Sequence, residues 1–359
     1  MAGVEGFVAD GFEAVRETLQ GFVDDGRETG AGLSIWRDGR EVVQLCAGWA
    51  DAQRRHPWRG DTLVQPYSLS KPFAAFAALV AVKDGAVELD EPVAKYWQSY
   101  GRHGKDRTTL RQLLSHQAGQ PRFPDAGLDL LDDAGLRDSL AAAPPEYVPG
   151  SSLGEHSLTY GHLIDGVLRA GAGTSLGEVF NDVVRPALGL DAWFGVPASE
   201  LHRVAELEYA SPDVPRLLPM RRWVAAPDGI LDLARMNSKA WRQAVFGSVN
   251  LHVTASSAAK FFAELNDSDG NARRLLGPEL LAEFLAPQVR RYDEVFETTL
   301  TWTLGLIRDQ VKIAKGGLGG SAAWWSLKHD HACAFLTRRL DDMSRVGQLA
   351  GAVDDDLRI

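Results

Sequence analysis

Strand-like sequence lies at the two ends of this chain and is scarce between them, and this division constrains the fold more than any other feature. Near the start, GAGLSIWRDGREVVQLCAGWAD alternates apolar residues at Leu33 and Ile35, breaks at Asp38-Gly39 and resumes at Val43 and Leu45. That pattern predicts a hairpin. Near the end, TLTWTLGLIRDQV, KGGLGGSAAWWSLK and HACAFLTRR are three strand-like runs separated by turn residues. Between them, segments such as LDEPVAKYW, TLRQLLSH, SLTYGHLIDGVLRAG and ASSAAKFFAEL read as helix or loop, and Phe7 to Val23 has the apolar spacing of an amphipathic helix. The expected fold is therefore α/β of the α+β kind. A sheet discontinuous in sequence, residues 1–65 plus 285–359, is flanked by helices and carries an inserted, mainly helical domain over 66–284. Binding sites form preferentially at such seams.

Bulk properties narrow the partners. The chain has 359 residues with 45% hydrophobic and 24% charged, ordinary for a globular protein with a sizeable core. A net charge of -10 leaves no basic surplus to neutralise phosphates, which argues against nucleic acid or an anionic membrane as partner. The opening residues lack the basic start and apolar core of a secretory signal, and the longest apolar run, Pro72 to Val82, is too short to span a bilayer. Two cysteines, Cys46 and Cys333, sit in no metal-binding or disulfide pattern. A cytoplasmic enzyme needing no cofactor or metal is the expectation, and oligomeric state is left open.

The stretch YSLSKPFAAF carries the candidate chemistry. Ser68 and Lys71 are three apart and share a helix face, while Ser70 points elsewhere. Pro72 fits only the first turn of a helix, which puts Ser68 at its N-terminus, where exposed N–H groups favour a developing anion. A serine hydroxyl becomes a useful nucleophile when a base takes its proton. A lysine supplies that base when burial or a nearby cation lowers its pKa. A plain serine cap on a core helix accounts for the same residues.

The surrounding segments extend the pattern. GAGLSIWRDGREVVQLCAGWAD, PWRGDTLVQPYSLSKPFAA, AVELDEPVAKYWQSYGRHGKDRTTLRQLLSHQAG, VPGSSLGEHSLTYGHL and KGGLGGSAAW resemble, in order and spacing, the serine β-lactamase and penicillin-binding-protein superfamily. The likeness is to its class C β-lactamase-like branch with the family VIII carboxylesterases, and it covers nearly the whole chain. It implies a β-lactamase/transpeptidase-like fold in which Ser68 is acylated and Lys71 moves its proton. KGGLGG, from Lys315 to Gly320, resembles the family's cleft-lining strand element. An oxyanion hole would then form from the backbone N–H groups of Ser68 and Leu318. Lys315, Gly316 and Gly317 would contact substrate, the lysine suiting a carboxylate. His116, in LLSHQAG, is expected to be structural.

One family element is altered. A Tyr-x-Asn or Tyr-x-Ala is expected after the Pro-Gly, but those positions hold Glu155 and Ser157. Two nearby lysines would drive a glutamate below its usual ~4.3, making it a poor base and a strong ion-pair partner. Three accounts stay open: Glu155 acts as base directly or through water, Lys71 is the sole base with Glu155 positioning it, or the acylation machinery is degraded. His156 is a further candidate base, and Tyr160 is expected to pack in the following helix. Trp223, Trp302, Trp324 and Trp325 are candidates for an acyl pocket, Trp324 foremost. The expected activity is that of a serine hydrolase, a carboxylesterase or amidase acting on a small ester or amide. An acyltransferase using the same acyl-enzyme and a non-catalytic ligand-binding protein are the alternatives.

Overall fold

The computed structural model describes residues 3–124, 127–217 and 227–357. Three strands from the start of the chain are β1 (Val4–Val8), β2 (Gly30–Arg37) and β3 (Arg40–Gly48). Six come from its end: β4 (Val289–Asp293), β5 (Thr298–Trp302), β6 (Ile307–Arg308), β7 (Lys312–Gly316), β8 (Ala322–Ser326) and β9 (His331–Thr337). They form one nine-stranded sheet in the order β1-β3-β2-β9-β8-β7-β6-β5-β4, with antiparallel neighbours throughout. The two ends of the chain meet at β2 and β9, with Ala332 opposite Trp36 and Thr337 opposite Ala31. The predicted hairpin turns at Asp38 and Gly39 with φ of 52° and 71°. Both lie in the left-handed region that a two-residue hairpin requires and an Asp-Gly pair tolerates.

Two expectations need correction. The helix predicted from Phe7 starts at Glu13, as α1 (Glu13–Asp24), and the residues before it form the edge strand β1. Helical spacing is present there, but β3 offers open hydrogen-bonding groups, and Gly6 (φ 116°) approaches it more closely than a side chain allows. A Cβ at Gly6 would lie 2.0 Å from the Gln44 carbonyl oxygen. The run TLTWTLGLIRDQV is likewise two strands, β5 and β6, broken around Gly305 at φ 102°.

The remaining helices that matter here are α2 (Ser70–Lys83), α3 (Ala255–Glu264) and α4 (Ser344–Asp356). Strand alternation divides the sheet's side chains between two cores. Leu33, Ile35, Val43, Leu45, Cys333 and Phe335 pack in one cluster with residues of α1 and α4. Ala332, Ala334 and Leu336 face the other way, into the core that contains α2 and α3. From Ser70 to Ala81 every residue of α2 is buried, as expected for a helix apolar on all sides. Phe73 and Phe76 meet Phe261 of α3 at ring-centroid distances of 4.1 and 5.6 Å. Packing on every side thus fixes where this helix begins and which way its first residues point.

A buried ion pair joins α4 to the segment before β2, and the same arginine reaches the loop after β7. Arg345 pairs with Glu28 and donates to the carbonyls of Arg339 (2.7 Å) and Gly319 (3.4 Å). Removing one partner of such a pair costs about 3–5 kcal/mol because the other charge is left uncompensated. Among the described residues no helix is long and apolar enough to cross a membrane.

Candidate active site

A single 3₁₀ turn, Tyr67–Leu69, precedes α2. Tyr67 has φ of 47°, a costly conformation for a bulky residue, and the turn presents Ser68 to a cavity of about 470 Å³. No side chain caps α2, so Ser68 is not a helix cap. Ser70 is fully buried; its hydroxyl donates to the Tyr67 carbonyl at 2.6 Å and accepts the Leu251 N–H at 3.1 Å. The two serines of YSLSK thus separate into one facing the cavity and one holding the turn together.

Lys71 Nζ lies 2.8 Å from Ser68 Oγ, and it also meets the carbonyls of Ser157 at 2.9 Å and Ser248 at 3.4 Å. Burial pushes the Lys71 amine down; Glu155 opposes this, Lys315 adds to it, and the outcome is about 7. A neutral amine has two N–H donors and one lone pair. With two carbonyls taking the donors, the lone pair is left for the Ser68 hydroxyl.

Glu155 lies fully buried between two lysines, its Oε1 2.5 Å from Lys315 Nζ and 3.6 Å from Lys71 Nζ. Burial alone would raise its pKa, but Lys315 and then Lys71 outweigh it and hold the carboxyl at about 2. Ser157 Oγ is 3.4 Å from Oε2. The ammonium of Lys315 also lies over the rings of Trp302 (4.9 Å) and Phe296 (5.4 Å). His156 is turned away: its Nε2 accepts the Gln120 N–H at 3.2 Å and its Nδ1 faces the Gly154 carbonyl at 2.9 Å. It is therefore not placed as a base. His116 accepts the His156 N–H on Nδ1 at 3.1 Å, and Tyr160 donates to the Leu114 carbonyl at 2.9 Å. Both serve the scaffold.

Across the cavity, Gly317 touches the turn that carries Ser68. A Cβ on Gly317 would fall 1.8 Å from the Pro66 carbonyl oxygen and 3.3 Å from the Ser68 nitrogen. Among the described residues, neither the Ser68 nor the Leu318 amide donates to a backbone carbonyl. Lys315, Gly316, Gly317, Leu318, Glu155 and Ser157 all line the cavity with Ser68. Its remaining wall is mainly apolar, including Leu158, Ile230, Leu231, Val249, Phe296 and Ile307.

Trp324 does not belong to the site. It stands opposite Ala314 and packs in the core beneath α1 and α4, because alternation puts it on the sheet face away from Lys315. Trp325 returns to the other face but opens onto a separate cavity beside α3. Trp302 lies buried beneath Lys315, and Trp223 lies outside the described residues.

Two supporting residues escaped the sequence reading. Ser248 Oγ donates to the Leu158 carbonyl at 2.6 Å and accepts the Gly161 N–H at 2.7 Å, which fixes the carbonyl that Lys71 meets. Asp293 is buried at the end of β4, opposite Thr298 of β5. Its Oδ1 accepts the N–H groups of Glu155 (3.2 Å), Val295 (2.9 Å) and Phe296 (3.1 Å), and its Oδ2 accepts the Trp302 indole N–H (3.0 Å). No alternation or spacing marks it within the charged run RRYDE. Asp293→Ala strands four donors, so we expect about 3–5 kcal/mol of lost stability, read from urea unfolding monitored by tryptophan fluorescence.

The beta-lactamase family model matches residues 15–357. Over 189 residues the chain is 35% identical to the esterase/beta-lactamase LipL of Mycobacterium tuberculosis, covering 51% of this chain and 43% of that protein. The match spans less than half the length of this relative and of a second curated esterase, EstB of Burkholderia gladioli, which is 28% identical over 46% of this chain and 46% of that protein. The crystal structure of a family VIII carboxylesterase superposes with a TM-score of 0.86 at 30% identity, covering 99% of this chain and 100% of that one. A penicillin-binding-protein homolog from Caulobacter crescentus gives 0.85 at 29%, with the same coverage.

Proposed function

The chain belongs to the beta-lactamase family, and from that premise we propose that this serine hydrolase is a carboxylesterase or amidase that forms an acyl-enzyme on Ser68. The observation that carries the reading is the 2.8 Å approach of Ser68 Oγ to an amine held near neutrality. We take residues 1–65 plus 285–359 as the sheet domain and 66–284 as the helical one, with the site at their seam.

In the first step Ser68 Oγ attacks the carbonyl carbon of the substrate while Lys71 Nζ takes the hydroxyl proton. The oxyanion is held by the Ser68 and Leu318 amides, a pairing that removes no charge from the lysines. The bond to the alcohol or amine then breaks, and Lys71 returns the proton to the departing group. In the second step water attacks the acyl carbon, Lys71 takes a proton from it, and Ser68 leaves carrying that proton. Glu155 makes no hydrogen bond to Ser68, and a carboxyl near 2 is too weak a base to share this duty. Its part is to hold Lys315 and place Lys71, the second of the accounts open at the sequence level.

Incubation with an alkyl fluorophosphonate, followed by peptide mass spectrometry, tests the reading. We expect mass addition on Ser68, retained in Ser70→Ala and lost in Ser68→Ala. Label elsewhere, or none, rejects it.

A further inference from the structure

We propose that Glu155 is also a specificity-determining residue: by discharging Lys315 it makes the cavity reject acyl groups that carry a carboxylate. The inference rests on the reading of the cavity as an acyl site. A buried lysine on a glycine-lined strand is suited to hold a substrate carboxylate only while its charge is available. Here Lys315 is 1% exposed, 2.5 Å from Glu155 Oε1 and pressed against Phe296 and Trp302. Its charge is answered inside the protein before any ligand arrives. Among the described residues lining the cavity, Lys315 is the one lysine or arginine and it is already paired with Glu155, while Asp341 and Asp342 add further acids at the rim. The adjoining Lys71, near 7, contributes little positive charge in mildly alkaline solution. An anionic acyl chain would therefore lose its hydration, enter a mainly apolar wall and find the lysine of that wall already paired with Glu155. A neutral chain of the same length loses nothing comparable.

The test compares p-nitrophenyl hexanoate, mono-p-nitrophenyl adipate and the methyl ester of that adipate at pH 8. The three share the same reactive carbonyl and acyl length, and the methyl ester separates charge from polarity. For the wild type we expect kcat/KM for both neutral esters to exceed that of the carboxylate by about 100-fold. In Glu155→Gln, which frees the Lys315 ammonium, that ratio should fall at least about tenfold, whatever happens to the common rate. Because the ratio is internal to one preparation, loss of folded protein cancels. Asp341→Asn should move it the same way by less, since that side chain is only partly buried. Wild-type rates within about threefold of one another, or a ratio unmoved in Glu155→Gln, overturn the proposal. If no ester is hydrolysed, the acyl-enzyme reading fails by itself. The filter is then read from binding of the same esters to Ser68→Ala by saturation-transfer NMR, where equal binding of neutral and anionic forms overturns it.

Discussion

Replacing Lys71 by methionine is expected to lower ester hydrolysis by about four orders of magnitude while leaving the protein folded. The two halves of that expectation have different causes. Methionine fills the space of the aliphatic stem in the buried start of α2, and it removes an amine that burial already disfavours in its charged form. Glu155 and Lys315 remain as a mutually neutral pair at 2.5 Å. The fold therefore loses little. The chemistry loses its proton acceptor, because no other base is within hydrogen-bonding distance of Ser68 Oγ among the described residues. Lys71→Arg is the sharper control: it restores a cation but one that stays protonated, so it should be as inactive as the methionine variant. Rates with p-nitrophenyl butyrate, alongside circular dichroism of both variants, check this.

Gly317→Ala should be nearly as damaging, by another route. Its new methyl would overlap the Pro66 carbonyl oxygen, both of them main-chain-anchored, so neither yields by a side-chain rotation. Either the strand end or the Ser68 turn must move, and the Ser68 and Leu318 amides part. Losing one oxyanion donor costs about 10²–10³ in kcat, so a fall of that size, with KM much less affected, is the expected result. Gly21→Ala in α1, where nothing lies within 4 Å of the new atom, should leave activity as it was.

Much of this site is legible in the sequence because its parts are local. Ser68, Lys71 and Pro72 sit within one helical turn, where spacing translates directly into geometry. The Asp38-Gly39 hairpin and the three terminal runs carry their alternation openly. The consequence of a glutamate at 155 also follows from elementary electrostatics once two lysines are placed beside it. What could not be read depends on relations across the sheet. Trp324 follows the Gly317–Ser321 loop, and only the register Ala314 opposite Trp324 determines that it faces α1 and α4. Asp293 looks like one charge in a solvated run, and it is buried because three backbone amides and an indole converge on it. The strand Val4–Val8 has helical spacing, but it is recruited by an open edge of β3 that the local sequence does not reveal.

The pH dependence of the acylation rate, measured by stopped flow with a p-nitrophenyl ester, bears most directly on the central claim. If the free amine of Lys71 accepts the Ser68 proton, the rate should rise with pH, with a midpoint near the value of about 7 that burial imposes, and level off above it. A rate already at its plateau at pH 5, governed by a group titrating in the carboxylate range, would contradict the account and return the base to Glu155.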